Sequence, residues 1–421
     1  MVERVAQLLA GVLVIAALWL AWNWPSGPMP VGPAPGAPPP SQEQGPRLEL
    51  ASRAAVLMDD QSGRVLYAHN PHEPLPPASI TKLMTLMLAL EAVQQGRASM
   101  ADEVVASEHA ASMGGSQVWL EVGERMSLRE LLNAVAVGSA NDAAVALAEH
   151  LAGSEAAFVE RMNRRARELG MRSTRFANAT GLPPEETGDP GPHVASAYDL
   201  ALLSRASVRT PGLLPMVATW EYTMRAGGLG KPVLYNLNRF LKRYPGVDGL
   251  KTGMTSQAGY CIAVTAKRDN LRLIVVTMGA PSSQAREKDV RTLLDWGFRR
   301  YEARRLAQGG EAVATLEVAR GDPRYVPATL GEDAFLTVER GARVDIDSRV
   351  ELERTLVAPV AAGTVVGRMR ILERPTGALL AEVPVKVGQA VPVAAGGELV
   401  RRQLVEFLRV LAPAGRKGPA G

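Results

Sequence analysis

The chain predicts an α+β domain, a small all-β domain after it, and a terminal amphipathic helix. Strand-like runs stand at both ends of residues 48–304 and enclose a helical middle, the arrangement of segregated helices and sheet rather than of alternating βαβ units. From 305 to 395 the texture changes to short alternating runs split by Gly and Pro, which reads as a β-rich unit, a sandwich by preference. Residues 396–421 then carry a helical apolar stripe, Leu399, Val400, Leu404, Phe407, Leu408 and Leu411, with Arg401, Arg402, Glu406 and Arg409 largely opposite.

Residues 1–24 place Arg4 before an apolar stretch from Leu8 to Trp22. This is an export signal, retained as an anchor or cleaved, and Trp19, Trp22 and Trp24 together with the lack of a clean Ala-x-Ala site favour the anchor. Residues 25–47 are rich in Pro and Gly and cannot bury enough apolar surface to order themselves, so they read as a tether. Ala54 to Met58 and Arg64 to Tyr67 flank the turn Asp59-Asp60-Gln61-Ser62-Gly63 as an opening hairpin. After the loop Pro71 to Pro77, Ser79 precedes a helix that is apolar almost all round, Leu83-Met84-Leu86-Met87-Leu88-Leu90, and so belongs inside the domain. Helical patterns follow over about 127–152, 154–169 and 198–207, the first with a junction at Ser139-Ala140-Asn141. Strands return at Gly249 to Met254, Gly259 to Ala266 and Leu271 to Met278, and a helix from Ala285 to Tyr301 closes the unit. In the β-rich part the strand runs include Ala314 to Val318, Ala334 to Val338, Val350 to Leu356, Thr364 to Leu372 and Leu379 to Val387.

Composition excludes several functions. The net charge of +4 rests on 39 Arg and 8 Lys scattered without aromatic interleaving, so no nucleic-acid partner is expected. Cys261 is the only cysteine and sits in an apolar run, which rules out an intrachain disulfide and a cysteine-based metal cluster and reads as a buried strand residue. His69, His72, His109, His150 and His193 show no ligand spacing, so neither a metal nor a cofactor is expected.

Three words occur once each: Ser79-Ile80-Thr81-Lys82, Ser139-Ala140-Asn141 and Lys251-Thr252-Gly253. Ser79 and Lys82 stand three residues apart and share one face if the segment is helical. A hydroxyl needs a base, and lysine, with an ordinary pKa of about 10.4, must lose its charge to act as one. Burial and a second cation nearby both favour the neutral amine, and Lys251 is the candidate cation. Ser139 is then placed to relay a proton between Lys82 and a departing amine, Asn141 to hold a substrate amide, and Lys251 with Thr252 to receive a carboxylate. The Ser79 amide at a helix start suits the oxyanion of an acyl transfer.

The trio is the signature of penicillin-binding proteins and class A β-lactamases. With Pro77 to Thr85, Ser139 to Ala144, Phe176 to Leu182, Asp248 to Gly253 and Ala258 to Tyr260, the chain resembles the low-molecular-weight penicillin-binding proteins of the serine D-alanyl-D-alanine carboxypeptidase kind. The resemblance implies a penicillin-binding/β-lactamase-like catalytic domain over 48–304 with the β-rich domain over 305–395. It further implies removal of the terminal D-alanine from peptidoglycan pentapeptides through an acyl-enzyme on Ser79, inhibition by β-lactams, and residence on the outer face of the bacterial cytoplasmic membrane. The terminal helix is then expected to lie on the membrane surface, the alternative being packing on the β-rich domain. By position, Gly253 completes the third word, the Met254 amide completes the oxyanion hole, and Arg286 falls where an arginine helps hold the substrate carboxylate. Met254 departs from the histidine of some relatives, which puts any role of that side chain in doubt while leaving the backbone donor intact. A class A β-lactamase is the competing reading, but it requires a Glu-x-x-Leu-Asn word that Glu160-Arg161-Met162-Asn163 does not supply, and 168 residues (421 minus 253) follow Gly253. A non-catalytic wall-binding scaffold would be expected to have lost Ser79 or Lys82.

Overall fold

The computed structural model describes residues 43–44, 48–225, 232–352, 356–397, 400–401 and 404. The expected export signal, most of the tether and most of the terminal helix lie outside these residues. Among the described residues no helix is long and apolar enough to cross a membrane.

A central antiparallel sheet organises the first domain. Its main strands are β1 (Ala54–Asp59), β2 (Val65–His69), β3 (Val247–Thr255), β4 (Gly259–Arg268) and β5 (Leu271–Ala280), in the order β2-β1-β5-β4-β3, with Glu43–Gln44 pairing outside β2. The opening hairpin thus joins strands from the far end of the domain, Val56 standing opposite Val276. Both sheet faces are covered, which explains why β1 and β5 read as continuous apolar runs rather than alternating ones. Val56, Met58, Ile274 and Val276 face the helical subdomain, whereas Ala55, Leu57, Leu273 and Val275 pack with Val290, Leu293, Leu294 and Phe298. The latter group comes from the closing helix, Ser283–Arg300, capped by the Ser282 hydroxyl.

The helical layer holds α1 (Lys82–Gln94), α2 (Leu128–Asn133), α3 (Asn141–Ala152), α4 (Glu155–Glu168) and α5 (Ala197–Arg209), and the closing helix is α6. Helix α1 is buried nearly all round, as its sequence predicts. Two details differ from the expected helices. Ser79 lies not in α1 but in a 3₁₀ turn, Ala78–Thr81, that leads into it. The pattern over 127–152 is interrupted by a π turn, Ala134–Gly138, and by Ser139 in the left-handed conformation (φ 61°) before α3 starts at Asn141.

Tyr301 opens a strand instead of ending α6. Tyr301–Ala307 pairs with Ala334–Glu339, so the β-rich unit takes over at 301 rather than 305. The rest of that unit is a six-stranded sheet in the order Ile346–Leu352, Val365–Glu373, Leu379–Val387, Tyr325–Leu330, Ala312–Ala319, Leu356–Val357. The run read as one strand from Val350 to Leu356 is divided, Leu356 pairing in parallel with Val318. One core, including Leu316, Val318, Val326, Ala334, Val366, Ile371 and Val385, lies beneath these strands. Contact with the first domain is both apolar and polar: Tyr301 packs with Leu294 and Phe298 and edge-on against Trp296, while Thr337 Oγ1 donates to Asp59 Oδ1 (2.8 Å) and Arg64 donates to Thr337 O (3.2 Å).

Candidate active site

The first two motif words lie at backbone positions that ordinary side chains disfavour. Ala78, just before Ser79, has φ 47°, and Ser139 is itself left-handed. Each such residue costs on the order of 1–3 kcal/mol and persists only where surrounding contacts impose it. For Ala78 that contact is Gly181 (φ 85°), where an added Cβ would come 2.0 Å from Ala78 O. The segment 176–182 therefore presses directly against the turn carrying Ser79. Its rigidity has named sources. Phe176 N donates to Asn163 Oδ1 (2.9 Å), Ala177 N to His193 Nδ1 (3.1 Å) and Ala179 N to Glu155 Oε1 (2.8 Å), while Thr85 Oγ1 donates to Ala179 O (2.7 Å). Asn178 Oδ1 accepts from the amides of Thr180 (3.3 Å) and Gly181 (2.8 Å), closing an Asx turn.

That turn aims the Thr180 carbonyl at Lys82. In a 3₁₀ turn residues i and i+3 eclipse, so Ser79 and Lys82 come closer than an α-helix would bring them. Lys82 is fully buried, and its Nζ lies 2.9 Å from Ser79 Oγ, 2.6 Å from Asn141 Oδ1 and 2.7 Å from Thr180 O. Asn141 is oriented by donating Nδ2 to Gly114 O (2.6 Å), which leaves its oxygen for the lysine. Burial first, and then the Lys251 ammonium, hold the Lys82 amine well below the usual lysine range. A neutral amine has two protons and one lone pair. Thr180 O and Asn141 Oδ1 can only accept, so they take both protons and the lone pair faces Ser79, whose O–H can donate to it.

Lys251 forms a second cluster. Its Nζ donates to Ser139 Oγ (2.9 Å) and to Thr252 O (3.1 Å), and burial followed by the charge of Arg286 pushes it down to about 7. Ser139 is thus bonded to Lys251 and not to Lys82, and the Asn141 amide is engaged with Lys82 and Gly114; the relay and the substrate-amide contact expected of these two require them to exchange partners when a ligand enters. Strand β3, which carries Lys251 and Thr252, is the outer strand of its sheet. Gly253 lets this edge approach Ser79: a Cβ there would stand 3.0 Å from Ser79 N, Pro77 O and Ala78 Cβ. Met254 follows with its side chain 57% exposed. Arg286 lies on the buried side of α6. It is only 8% exposed, donates to Cys261 O (3.4 Å) and Ser283 Oγ (3.3 Å), lies 5.8 Å over the Tyr260 ring, and its buried Nε has no partner among the described residues. Among the described residues no carboxylate makes a close ion pair with it, although the Glu287 charge acts on it from a distance.

Residue types alone missed the supporting shell. His193 gave no ligand spacing, yet it is buried between Ala177 N and Thr81 Oγ1 (2.8 Å), and burial together with Lys82 pushes it down to about 3. Because Nδ1 accepts from the Ala177 amide, the neutral ring carries its proton on Nε2 and donates it to Thr81, tying the nucleophile turn to segment 176–182. Only the Asn-x-Thr-Gly run at 178–181, an Asx-turn sequence, signalled this arrangement beforehand. Cys261 is buried, with its thiol pushed up to about 11 by burial, as an inert strand residue requires. Among the described residues no group of acidic, histidine or cysteine side chains could hold a metal.

Comparison with known proteins places this geometry. Residues 40–282 match the family model for D-alanyl-D-alanine carboxypeptidases, peptidase S11, and residues 301–393 match that for the C-terminal domain of penicillin-binding protein 5. The chain belongs to the D-alanyl-D-alanine carboxypeptidase family. The carboxypeptidase is 39% identical over 349 residues to DacF of Bacillus subtilis, a stretch covering 82% of this chain and 88% of that one. DacA of Haemophilus influenzae is 34% identical, over 76% and 81% of the two chains. Among solved structures, penicillin-binding protein 5 from Haemophilus influenzae aligns with a TM-score of 0.62 at 32% identity, covering 85% of this chain and all of that one. Penicillin-binding protein D2 from Listeria monocytogenes in its ampicillin-bound form aligns at 0.54 and 33% identity, covering 60% of this chain and 100% of that one. The protein is therefore a serine-type D-Ala-D-Ala carboxypeptidase of the low-molecular-weight penicillin-binding kind, a catalytic α+β domain followed by a β-rich one.

Proposed function

We propose that Ser79 is the nucleophile and Lys82 its general base. The observation that carries this is the buried Lys82 amine, held well below its usual basicity by burial and Lys251 and placed so that in its neutral form both protons go to Thr180 O and Asn141 Oδ1 and the lone pair faces the Ser79 hydroxyl. Ser79 Oγ attacks the carbonyl between the two D-alanines while its proton passes to Lys82. The developing oxyanion is received by the amides of Ser79 and Met254, the latter on the edge strand next to Gly253. The C–N bond then breaks, the leaving D-alanine amine takes a proton through Ser139, and the ester on Ser79 is hydrolysed by water, returning the serine and releasing the shortened peptide. Lys251, Thr252 and Arg286 receive the terminal carboxylate, and Asn141 turns to the substrate amide. A β-lactam would acylate the same oxygen.

The substrate is the peptidoglycan stem pentapeptide ending in D-Ala-D-Ala, met on the outer face of the bacterial cytoplasmic membrane. The apolar stretch Leu8 to Trp22 and the amphipathic pattern 398–411 support a protein held at that surface. In the test, wild-type protein releases D-alanine from diacetyl-L-Lys-D-Ala-D-Ala and is covalently labelled by a fluorescent penicillin. Ser79→Ala is expected to do neither while melting normally; release at the wild-type rate would refute the nucleophile.

The two lysines set opposite pH limbs. Lys82 must be neutral, which rising pH favours; Lys251 must be charged to attract a carboxylate, and it loses its proton as pH rises through about 7. Since kcat/KM reports the free enzyme, it is expected to fall above roughly pH 7. The limb in kcat should lie higher, because a bound carboxylate favours the ammonium. Lys251→Arg, which cannot deprotonate, is expected to move the falling limb of kcat/KM upward at a lower absolute rate; an unmoved limb would assign it to another group.

A further inference from the structure

Trp119, on the loop bonded to Asn141, has an exposure and a backbone conformation that folding does not explain. It is 69% exposed and left-handed (φ 53°), although its neighbours Val118 and Leu120 are both buried. A bulky residue there costs about 1–2 kcal/mol, with little burial to offset it. The conformation is nonetheless imposed from two sides. From below, the buried Asp142 carboxylate accepts from the amides of Val118 (3.0 Å) and Leu120 (3.1 Å). From outside, both terminal nitrogens of Arg225 lie 3.4 Å from Val118 O, and Arg225 is itself fixed by Glu124 (2.8 Å) and, through its amide, by Glu130 (3.2 Å). The same loop is bolted to the second motif, with Asn141 N donating to Ser116 O (2.7 Å) and Asn141 Nδ2 to Gly114 O. Solvent-facing Trp119 thus stands on a rigid loop anchored to Asn141, the Lys82 partner, and to Asp142 beside it.

We infer that Trp119 is a specificity-determining contact for the acyl-donor peptide, its face receiving the aliphatic side chain of the residue that precedes D-Ala-D-Ala. This rests on the function proposed above, which fixes the direction of the ligand. The terminal carboxylate goes to Lys251, Thr252 and Arg286 on the sheet wall, so the amino-terminal part leaves over the helical wall, where Asn141 and the 114–120 loop lie. An indole face offers a methylene chain apolar contact at low entropic cost, because the side chain has only two torsions and its backbone is already held. A contact made equally in ground and transition states changes KM and not kcat.

The test compares two substrates, diacetyl-L-Lys-D-Ala-D-Ala and acetyl-Gly-D-Ala-D-Ala, the second lacking the side chain. Trp119→Ala is expected to raise KM for the lysyl peptide by about tenfold, with kcat within about twofold and with kcat/KM for the glycyl peptide unchanged. Trp119→Phe should recover most of the loss. Trp119→Gly, free of the left-handed cost, should melt no lower than wild type, which separates binding from folding. Equal losses on both substrates, or none on either, would overturn the inference. Wild-type protein that turns over neither peptide would count instead against the proposed function, and acylation by benzylpenicillin compared with 6-aminopenicillanic acid, which lacks the acyl side chain, then reads Trp119 directly: a Trp119→Ala loss confined to benzylpenicillin supports it, equal rates refute it.

Discussion

Lys82→Met is expected to slow acylation of Ser79 by β-lactam or peptide about 10²- to 10⁴-fold, the range assigned to a positioned general base, or roughly 2.7–5.5 kcal/mol of barrier. Methionine keeps the length and fills the fully buried site, so the chemistry is removed with little change in packing. Thr180 O and Asn141 Oδ1 each lose a donor, at about 1–3 kcal/mol per buried group, and a lower melting temperature should accompany the loss of rate. The measurement is the second-order rate of fluorescent-penicillin labelling beside a thermal melt. Lys82→Arg would be as slow for a different reason, since a guanidinium keeps its proton and cannot take one from Ser79. A Lys82→Met protein labelled within tenfold of wild type would show that another group removes the serine proton, and the neutral Lys82 would be a structural consequence of burial alone.

Gly181→Ala is the second change expected to have a large effect, although it touches neither lysine. An alanine Cβ would come 2.0 Å from Ala78 O, which is backbone and cannot swing aside, at a position where φ is 85°. Left-handed alanine alone costs about 1–2 kcal/mol, and separating the two segments to relieve the contact adds to it. The 3₁₀ turn holding Ser79 and the Asx turn holding Thr180 O must part, so the Ser79 and Lys82 contacts both loosen. The expected result is a loss of several kcal/mol in stability and at least about a hundredfold in labelling rate, because small misplacements of reacting groups are that costly. Urea denaturation and penicillin labelling of the same sample check both halves. Normal stability with normal labelling would mean that the contact between 181 and 78 relaxes freely, and the rigidity ascribed to segment 176–182 would be wrong.

Much of this protein was legible in its residues because the signals were local. The apolar runs of β1, β3, β4 and β5, the all-round apolar helix after Ser79, and the three motif words each declare an element or a reaction from a handful of neighbouring positions. Family likeness fixed the order of domains. Finer boundaries failed where local signals compete: Tyr301 continues the apolar pattern of α6 but pairs with Glu339 in the β-rich unit, and the hydrophobic run at 134–138 hides a π turn. The relation between motifs was also out of reach. That Ser139 would bond to Lys251 while Asn141 bonds to Lys82 depends on how the outer strand meets the helical layer, and neighbouring residues carry no record of it.

Taken by itself, the amino-acid sequence determined which atoms could react: a hydroxyl, an amine and a cation, three separate words on a helix start, a helix junction and a strand. Only the tertiary structure decided what surrounds each amine and so how far its charge is disfavoured. Lys82 and Lys251 are the same residue with the same ordinary basicity, and their difference arises from surroundings assembled from distant parts of the chain. Lys82 is enclosed by Thr180 O, Asn141 Oδ1 and a neighbouring cation, whereas Lys251 meets Ser139 Oγ, Thr252 O and the charge of Arg286. Charge is stabilised or expelled by everything within a few ångströms, and in a folded chain those neighbours come from positions roughly a hundred residues apart.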